Sequence, residues 1–316
     1  MMDKAWISIY LLGGIGLLSF GAHALIRGAA SLGFRLGLPL LVVGLTILGY
    51  GTGMPEVVVS VQASMAGNGD IAMGNVIGSN IANVGLILGI TALFSPPALS
   101  KEQFGYESVI LLVVTGLFFF LFLFSSEITR AMGVVFIAGL VGYTIWAIYY
   151  GWRQKGKEES AEKPPMMNSV WKELLFIGVG FLSLFFGGKW LLQGAMISAK
   201  FLGFSEAVIG LTVVALGTSL PELAACLASV IHKHGEAAIG NIVGSNIFNI
   251  LGIVGIASVV RPIQIIGIHW VDYAFMVFFT VVLWGVIRTG STVTRREGMF
   301  LILCYGVYLI YLLVYA

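Results

Sequence analysis

Apolar runs recur along the whole chain, each near the length of about 20 residues that a membrane-crossing helix needs. Short polar patches separate them. The pattern predicts ten helical spans, at about 6–30, 37–66, 71–95, 104–125, 130–152, 170–198, 205–231, 237–260, 267–288 and 297–315. Between the fifth and sixth lies the only strongly hydrophilic segment, "RQKGKEESAEKPP" at 153–165, whose composition suits a solvated connector. The connecting loop, 153–169, divides the chain into two five-span halves, 1–152 and 170–316.

Those halves are copies. Residues 44–90 align without gaps onto 210–256 at a shift of 166, and 19 of the 47 positions are identical. A unit of five spans crosses the bilayer an odd number of times, so the second copy must run upside down relative to the first. Inverted repeats of this kind are common among secondary transporters. The expected fold is therefore an all-α integral membrane protein, ten transmembrane helices in two inverted five-helix repeats.

Composition agrees. The chain is 58% hydrophobic and 10% charged, against roughly 25% charged in soluble domains. The polar patches leave no room for a sizeable soluble domain. A net charge of +2 says less than its distribution. If the 153–169 loop is cytoplasmic, twelve of the 17 Lys and Arg residues fall on that side, including Arg27, Arg35, Lys172, Arg295 and Arg296. That distribution supports both termini outside, and the expected location is the plasma (inner) membrane. Cys226 and Cys304 both lie in apolar runs and read as small buried side chains, not as a disulfide or metal pair.

Two short stretches break the apolar pattern near mid-membrane, "GTGMPE" at 51–56 and "GTSLPE" at 217–222. Pro55 and Pro221 each remove an N–H and crowd the carbonyl four residues back. In hydrocarbon, carbonyls freed in this way are tolerated only where they line a cavity or meet a ligand. Glu56 and Glu222 follow directly. An ionisable group at that depth costs about 2.5–3.5 kcal/mol even on lenient scales. No Lys or Arg in the aligned stretches lies near enough to neutralise either one. Brought together, the two carboxylates repel unless a cation or protons stand between them.

The third component is "GNVIGSNIAN" at 74–83 with "GNIVGSNIFN" at 240–249. Asn75, Ser79 and Asn83 recur at four-residue intervals along one helix face, as do Asn241, Ser245 and Asn249. Small-xxx-small glycine pairs let the backbones approach; on its own this pattern also fits ordinary interhelical hydrogen bonding. Asp70 and Glu236, just before these helices, read as partners of the helix dipole. His23 and its counterpart Lys189 read as side chains reaching for an interface. The site set is all oxygen: two carboxylates, the hydroxyls of Thr52, Thr218, Ser219, Ser79 and Ser245, amide oxygens and backbone carbonyls. Such sites suit hard cations, and Ca²⁺ takes about 6–8 oxygens. No His or Cys matches between the copies, which disfavours zinc or copper.

The paired G-T-x-x-P-E and G-N-x-x-G-S-N-x-x-N motifs resemble the two alpha-repeats of the sodium/calcium exchanger branch of the cation/calcium antiporter superfamily. The short connector looks like that of compact prokaryotic members. The resemblance implies that spans two, three, seven and eight form a core, past which the first and sixth slide to alternate access. It also implies that Glu56, Glu222, Thr52 and Thr218 hold Ca²⁺. Ser219, Ser79 and Ser245 would add hydroxyls, Gly49 and Ala215 backbone carbonyls, and Asn83 and Asn249 would flank the centre. Two positions depart from the family pattern: Asn249 stands where an aspartate is usual, and Gly53 where a serine is usual.

The function expected is Ca²⁺/Na⁺ antiport, with no cofactor beyond the transported ions. The expected partners are the lipid bilayer and the two ions, with no nucleic acid and no obligatory protein partner. H⁺/Ca²⁺ exchange is the nearest alternative. Proton exchangers of the superfamily usually carry glutamate where this chain has Gly78 and Gly244, which favours sodium. A passive cation channel and a membrane-embedded hydrolase are the outsiders; the sequence offers no repeated nucleophile–base pair for the second.

Overall fold

The structure, a computed structural model, describes residues 2–98, 101–154, 166–201, 215–290 and 292–315. Its helices are α1 (Met2–Leu36), α2 (Leu40–Thr52), α3 (Met54–Ala66), α4 (Gly69–Phe94), α5 (Lys101–Phe124) and α6 (Arg130–Gln154). After the connector come α7 (Val170–Phe201), α8 (Ala215–Thr218), α9 (Leu220–Ile231), α10 (Gly235–Val260), α11 (Trp270–Thr289) and α12 (Arg295–Tyr315). Among the described residues seven helices are long and apolar enough to cross a membrane, and α2 with α3 makes an eighth as a pair bent by 44°. Much of the expected connector, and the first part of the expected 205–231 span, lie outside the described residues.

Burial sorts these helices into a centre and a rim. In α4 and α10, 78% and 83% of the spanning window is buried, against 17–28% in α5, α6 and α7. Rim helices turn Phe120, Val135, Ile145, Trp171 and Leu175 outward, as a lipid-facing surface requires. Small residues let the central helices come close. A Cβ on Gly49 of α2 would lie 2.8 Å from the Ser245 backbone nitrogen of α10. Both central helices also contain a wide π-helical turn, at Asn83–Leu88 and Phe248–Ile253, a feature that often marks functional sites.

One element departs from the all-helical expectation. Glu127–Ile128 pairs antiparallel with Ile263–Gln264, and Ala98 makes a matching bridge to Thr292. These connectors hold backbone groups that no helix satisfies, and pairing them with each other meets that need.

Helices α1 and α7 pack as a unit along two glycine rows of heptad spacing, Gly14, Gly21 and Gly28 against Gly180, Gly187 and Gly194. A Cβ on Gly21 would stand 2.8 Å from the Leu184 backbone nitrogen, and one on Gly180 2.7 Å from that of Leu25. At one end the fully buried Glu173 is held by Arg35 at 2.9 Å and by the Ser31 hydroxyl at 2.6 Å. Arg35 also donates to the Met167 carbonyl at 2.7 Å. This buried carboxylate has a guanidinium within reach.

Gly21→Val should force the two backbones apart and destabilise the protein by about 1–3 kcal/mol, the usual range for overpacking. Gly16→Ala, where nothing among the described residues lies within 4 Å of the added carbon, should leave thermal unfolding of the purified protein unchanged. Equal melting temperatures for the two variants would refute the close-packed seam.

Candidate ion-binding site

Two broken helices point their first turns at each other. Helix α2 ends at Thr52, Gly53 links, and α3 begins at Met54 with Pro55 and Glu56 in its first turn. In the second copy Thr218 ends α8, Ser219 links, and Pro221 and Glu222 open α9. The sequence suggested a break caused by the proline ring; the structure places the break ahead of each proline. Proline is well tolerated in a first turn, where its missing N–H has no helical partner to lose. The helix N-terminus then favours the carboxylate that follows.

The copies interlock. Glu56 lies beside the hydroxyls of Ser219 and Thr218 and within electrostatic reach of Glu222. Glu222 lies beside Thr52. Each carboxylate therefore faces the hydroxyls of the opposite copy. Glu56 is 1% exposed and Glu222 3%, so both stand in a dehydrated interior.

Several oxygens in this interior lack a hydrogen-bond partner among the described residues. They are both carboxylate oxygens of Glu56, Glu222 Oε2, Ser79 Oγ, Ser219 Oγ, Asn83 Oδ1 and Asn249 Oδ1. A buried polar group left unpaired costs about 1–3 kcal/mol, more if charged. A cluster of acceptors in this condition calls for a cation. Among the described residues no group of three or more His, Cys, Asp or Glu side chains stands in metal-ligating reach, so the chemistry here is that of mixed carboxylate, hydroxyl and amide oxygens.

Other candidate residues take defined places. Thr52 donates to the Leu48 carbonyl at 3.0 Å, and Ser245 to the Gly49 carbonyl at 3.2 Å. The Gly49 carbonyl, expected to be free, also accepts the Gly53 N–H at 3.4 Å. Ala215 opens α8, one turn before Thr218. Ser79 and Thr218 line a cavity of about 480 Å³ that extends to Asp70 and Asp272. Asp70 sits in the first turn of α4, and its Oδ1 accepts the Ile266 N–H at 2.9 Å. Glu236 sits in the first turn of α10.

His23 stays apart from the cluster. Its Nδ1 bonds the Ser19 carbonyl at 2.7 Å, and its ring meets that of His232 with centroids 5.0 Å apart. Burial, then the nearby His23 and Arg27, hold the His232 imidazole below its usual pKa. Lys189, the counterpart of His23, is exposed.

Three features escaped the sequence reading. Asn75 and Asn241 are clamps: Asn75 donates to Ser60 Oγ at 2.9 Å and to the Glu56 carbonyl at 3.3 Å, while Asn241 donates to Cys226 Sγ at 3.2 Å. Cys226 is thus a hydrogen-bonding partner rather than a plain apolar filler. Asn246 accepts from Asn83 Nδ2 at 2.9 Å and donates to the Asn80 carbonyl at 3.4 Å, which orients the Asn83 amide with its oxygen unpaired. Phe248 stacks on Tyr50 with centroids 4.8 Å apart, and its ring lies over Gly53. The seventh position of the G-N-x-x-G-S-N motif was the available signal for Asn80 and Asn246.

The family described as sodium/calcium exchanger protein matches residues 6–149 and 172–314. The CaxA protein of Alkalimonas amylolytica is 35% identical over 307 residues, 94% of this chain and 96% of its own. The sodium/calcium exchanger MaX1 of Methanosarcina acetivorans is 28% identical over 342 residues, 96% of this chain and 97% of its own. A solved structure of the sodium-calcium exchanger NCX_Mj, soaked with zero Na⁺ and Ca²⁺, superimposes with a TM-score of 0.84 at 27% identity, over 98% of this chain and 99% of that one.

Asn246→Ala should leave the Asn83 amide donor buried and unpaired, lowering stability by about 1–3 kcal/mol. A cycle with Asn83→Ala should then return a coupling above about 0.5 kcal/mol. Strict additivity in thermal unfolding would mean that the two amides do not hold each other.

Proposed function

Because the chain belongs to the sodium/calcium exchanger family, we propose that it is a secondary active antiporter. It exchanges Ca²⁺ for Na⁺ by alternating access. The observation that carries this reading is the group of buried, unpaired oxygens around Glu56 and Glu222. A dehydrated pair of carboxylates is stable with one divalent ion or two monovalent ions between them, and that is the property an exchanger needs.

In this reading Glu56, Glu222, Thr52 and Thr218 take Ca²⁺. Ser219, Ser79 and Ser245, the carbonyls of Gly49 and Ala215, and the amides of Asn83 and Asn249 complete the ion sites. The chain forms ten spans in two inverted repeats, 1–152 and 170–316, joined by a cytoplasmic loop at 153–169, with both termini outside. The glycine seam supports treating α1 and α7 as one body, suited to sliding past the core. The relation between the copies, and the distribution of Lys and Arg, support the topology. The protein is a multi-pass membrane protein of a transporter family, not of an enzyme family, and the plasma membrane is the fitting location.

Protons are the rival counter-ion. At the place where proton exchangers of the superfamily usually carry glutamate this chain has Gly78 and Gly244, which favours sodium. Everted vesicles should accumulate Ca²⁺ when a Na⁺ gradient is imposed with pH clamped on both sides; uptake that needs a pH gradient instead would replace Na⁺ by H⁺. Glu56→Gln and Glu222→Gln should each reduce exchange to background while the protein remains folded. Wild-type rates in either variant would sink the shared-carboxylate reading.

A further inference from the structure

One buried carboxylate is left over by the ion cluster. Glu107 on α5 is 2% exposed, and its Oε2 has no hydrogen-bond partner among the described residues. Tyr143 on α6, 6% exposed, carries a hydroxyl in the same condition. The two side chains lie within electrostatic reach of each other, and Tyr143 also of Tyr50 on α2. Two orphaned polar groups on neighbouring helices need an explanation of their own.

The neighbours fix the depth of Glu107. Glu127–Ile128 after α5 pairs with Ile263–Gln264 before α11, and Ala98 before α5 bridges to Thr292 after α11. The two helices therefore run antiparallel. Thr280 donates to Thr115 at 3.5 Å; eight residues farther along each helix, Glu107 comes level with Arg288. In the proposed topology this is the cytoplasmic half of the membrane, about 9 Å along α5 from Lys101. No guanidinium here is turned to the carboxylate: Arg288 lies over the Trp284 ring at 5.5 Å and Arg153 of α6 over Tyr149 at 4.8 Å. Helix α10, which also packs on α5, carries Glu236 in its first turn as its one titratable side chain.

A lone carboxylate buried without a counter-charge is stable when it holds a proton. A metal ion fits poorly, since Ca²⁺ takes about 6–8 oxygens. Tyr50 and Thr144 bond each other at 2.8 Å, which leaves one carboxyl group and one phenol. The proton also has a lever. Tyr50 stacks on Phe248, whose ring lies over Gly53 at the break between α2 and α3. Ionising Glu107 would set a charge behind this stack with only the Tyr143 hydroxyl to answer it, and would disfavour the packing.

We propose that Glu107 and Tyr143 form a proton-binding site on the cytoplasmic half of the protein, separate from the ion cluster, whose loading keeps the Tyr50–Phe248 stack in place behind the Gly53 break. Loss of the proton at raised cytoplasmic pH loosens that stack and slows exchange. The site follows from the geometry; its effect on transport rests on the Na⁺/Ca²⁺ reading above, and its side of the membrane on the proposed topology.

The first test is infrared spectroscopy of the purified full chain at neutral pH in saturating Ca²⁺, which keeps protons off Glu56 and Glu222. A carboxylic C=O band from a protonated side chain should be present in the wild type and lost from it in Glu107→Gln. A folded variant with an unchanged carboxylic band would overturn the site. The second test uses proteoliposomes of defined orientation, with a Na⁺ gradient imposed and pH varied on the cytoplasmic face alone. Raising that pH should slow the wild type several-fold relative to Glu107→Gln, which lacks the titrating group. Equal pH profiles for the two proteins would refute the link to exchange. Should Glu107→Gln fail to fold, Tyr143→Phe serves instead: without the hydroxyl that answers the ionised carboxylate, the response should move to higher pH, and an unmoved response would count against the site. Absence of Na⁺-driven flux in the wild type would refute the exchanger reading and leave the infrared test of the proton site standing.

Discussion

Two buried carboxylates with no basic partner among the described residues organise this molecule. Glu56 and Glu222 lie in the buried interior, within electrostatic reach of each other. Among the described residues the ion pair is elsewhere, between Arg35 and Glu173. That contrast is informative. At Glu173 the chain supplies a guanidinium, a hydroxyl and close geometry. In the centre it supplies hydroxyls, amides and helix N-termini, which can share a cation but cannot cancel two charges alone.

The surrounding structure follows from that need. Breaks at Gly53 and Ser219 turn two helix N-termini toward the carboxylates, each contributing a favourable partial charge. Asn75 and Asn241 clamp the broken segments to the central helices through Ser60 and Cys226. The two central helices must therefore approach closely, which small residues permit, and they must be sheltered from lipid, which the rim helices provide. A cavity of about 480 Å³ reaches Ser79 and Thr218 in this region.

Much of this was legible in the residues. Proline followed by glutamate in an apolar run, repeated at a fixed shift, located both carboxylates and both breaks. Paired G-N-x-x-G-S-N motifs located the central helices. The Asn75 and Asn241 clamps lie within one copy; the other features that escaped depend on contacts between copies. Nothing in the local pattern says that Asn246 turns the Asn83 amide, or that Phe248 lies over Gly53, because each partner is more than 160 positions away in the chain. The short ribbon between 127–128 and 263–264 escaped for the same reason. Proline was also given too large a part. Its ring marks each break, yet the residue that carries the bend precedes it.

Under the proposed exchange, the same electrostatics explain why movement of one ion should be tied to movement of the other. A cluster with neither cargo would carry two unbalanced charges through a dehydrated interior, and the penalty for an uncompensated buried charge is several kcal/mol. Bound cations remove that penalty. The states able to change their exposure are then the loaded ones. Coupling between the ions needs no separate gate in this account, because it follows from the count of carboxylates. Glu56 and Glu222 set the requirement that positive charge be present before the protein can move.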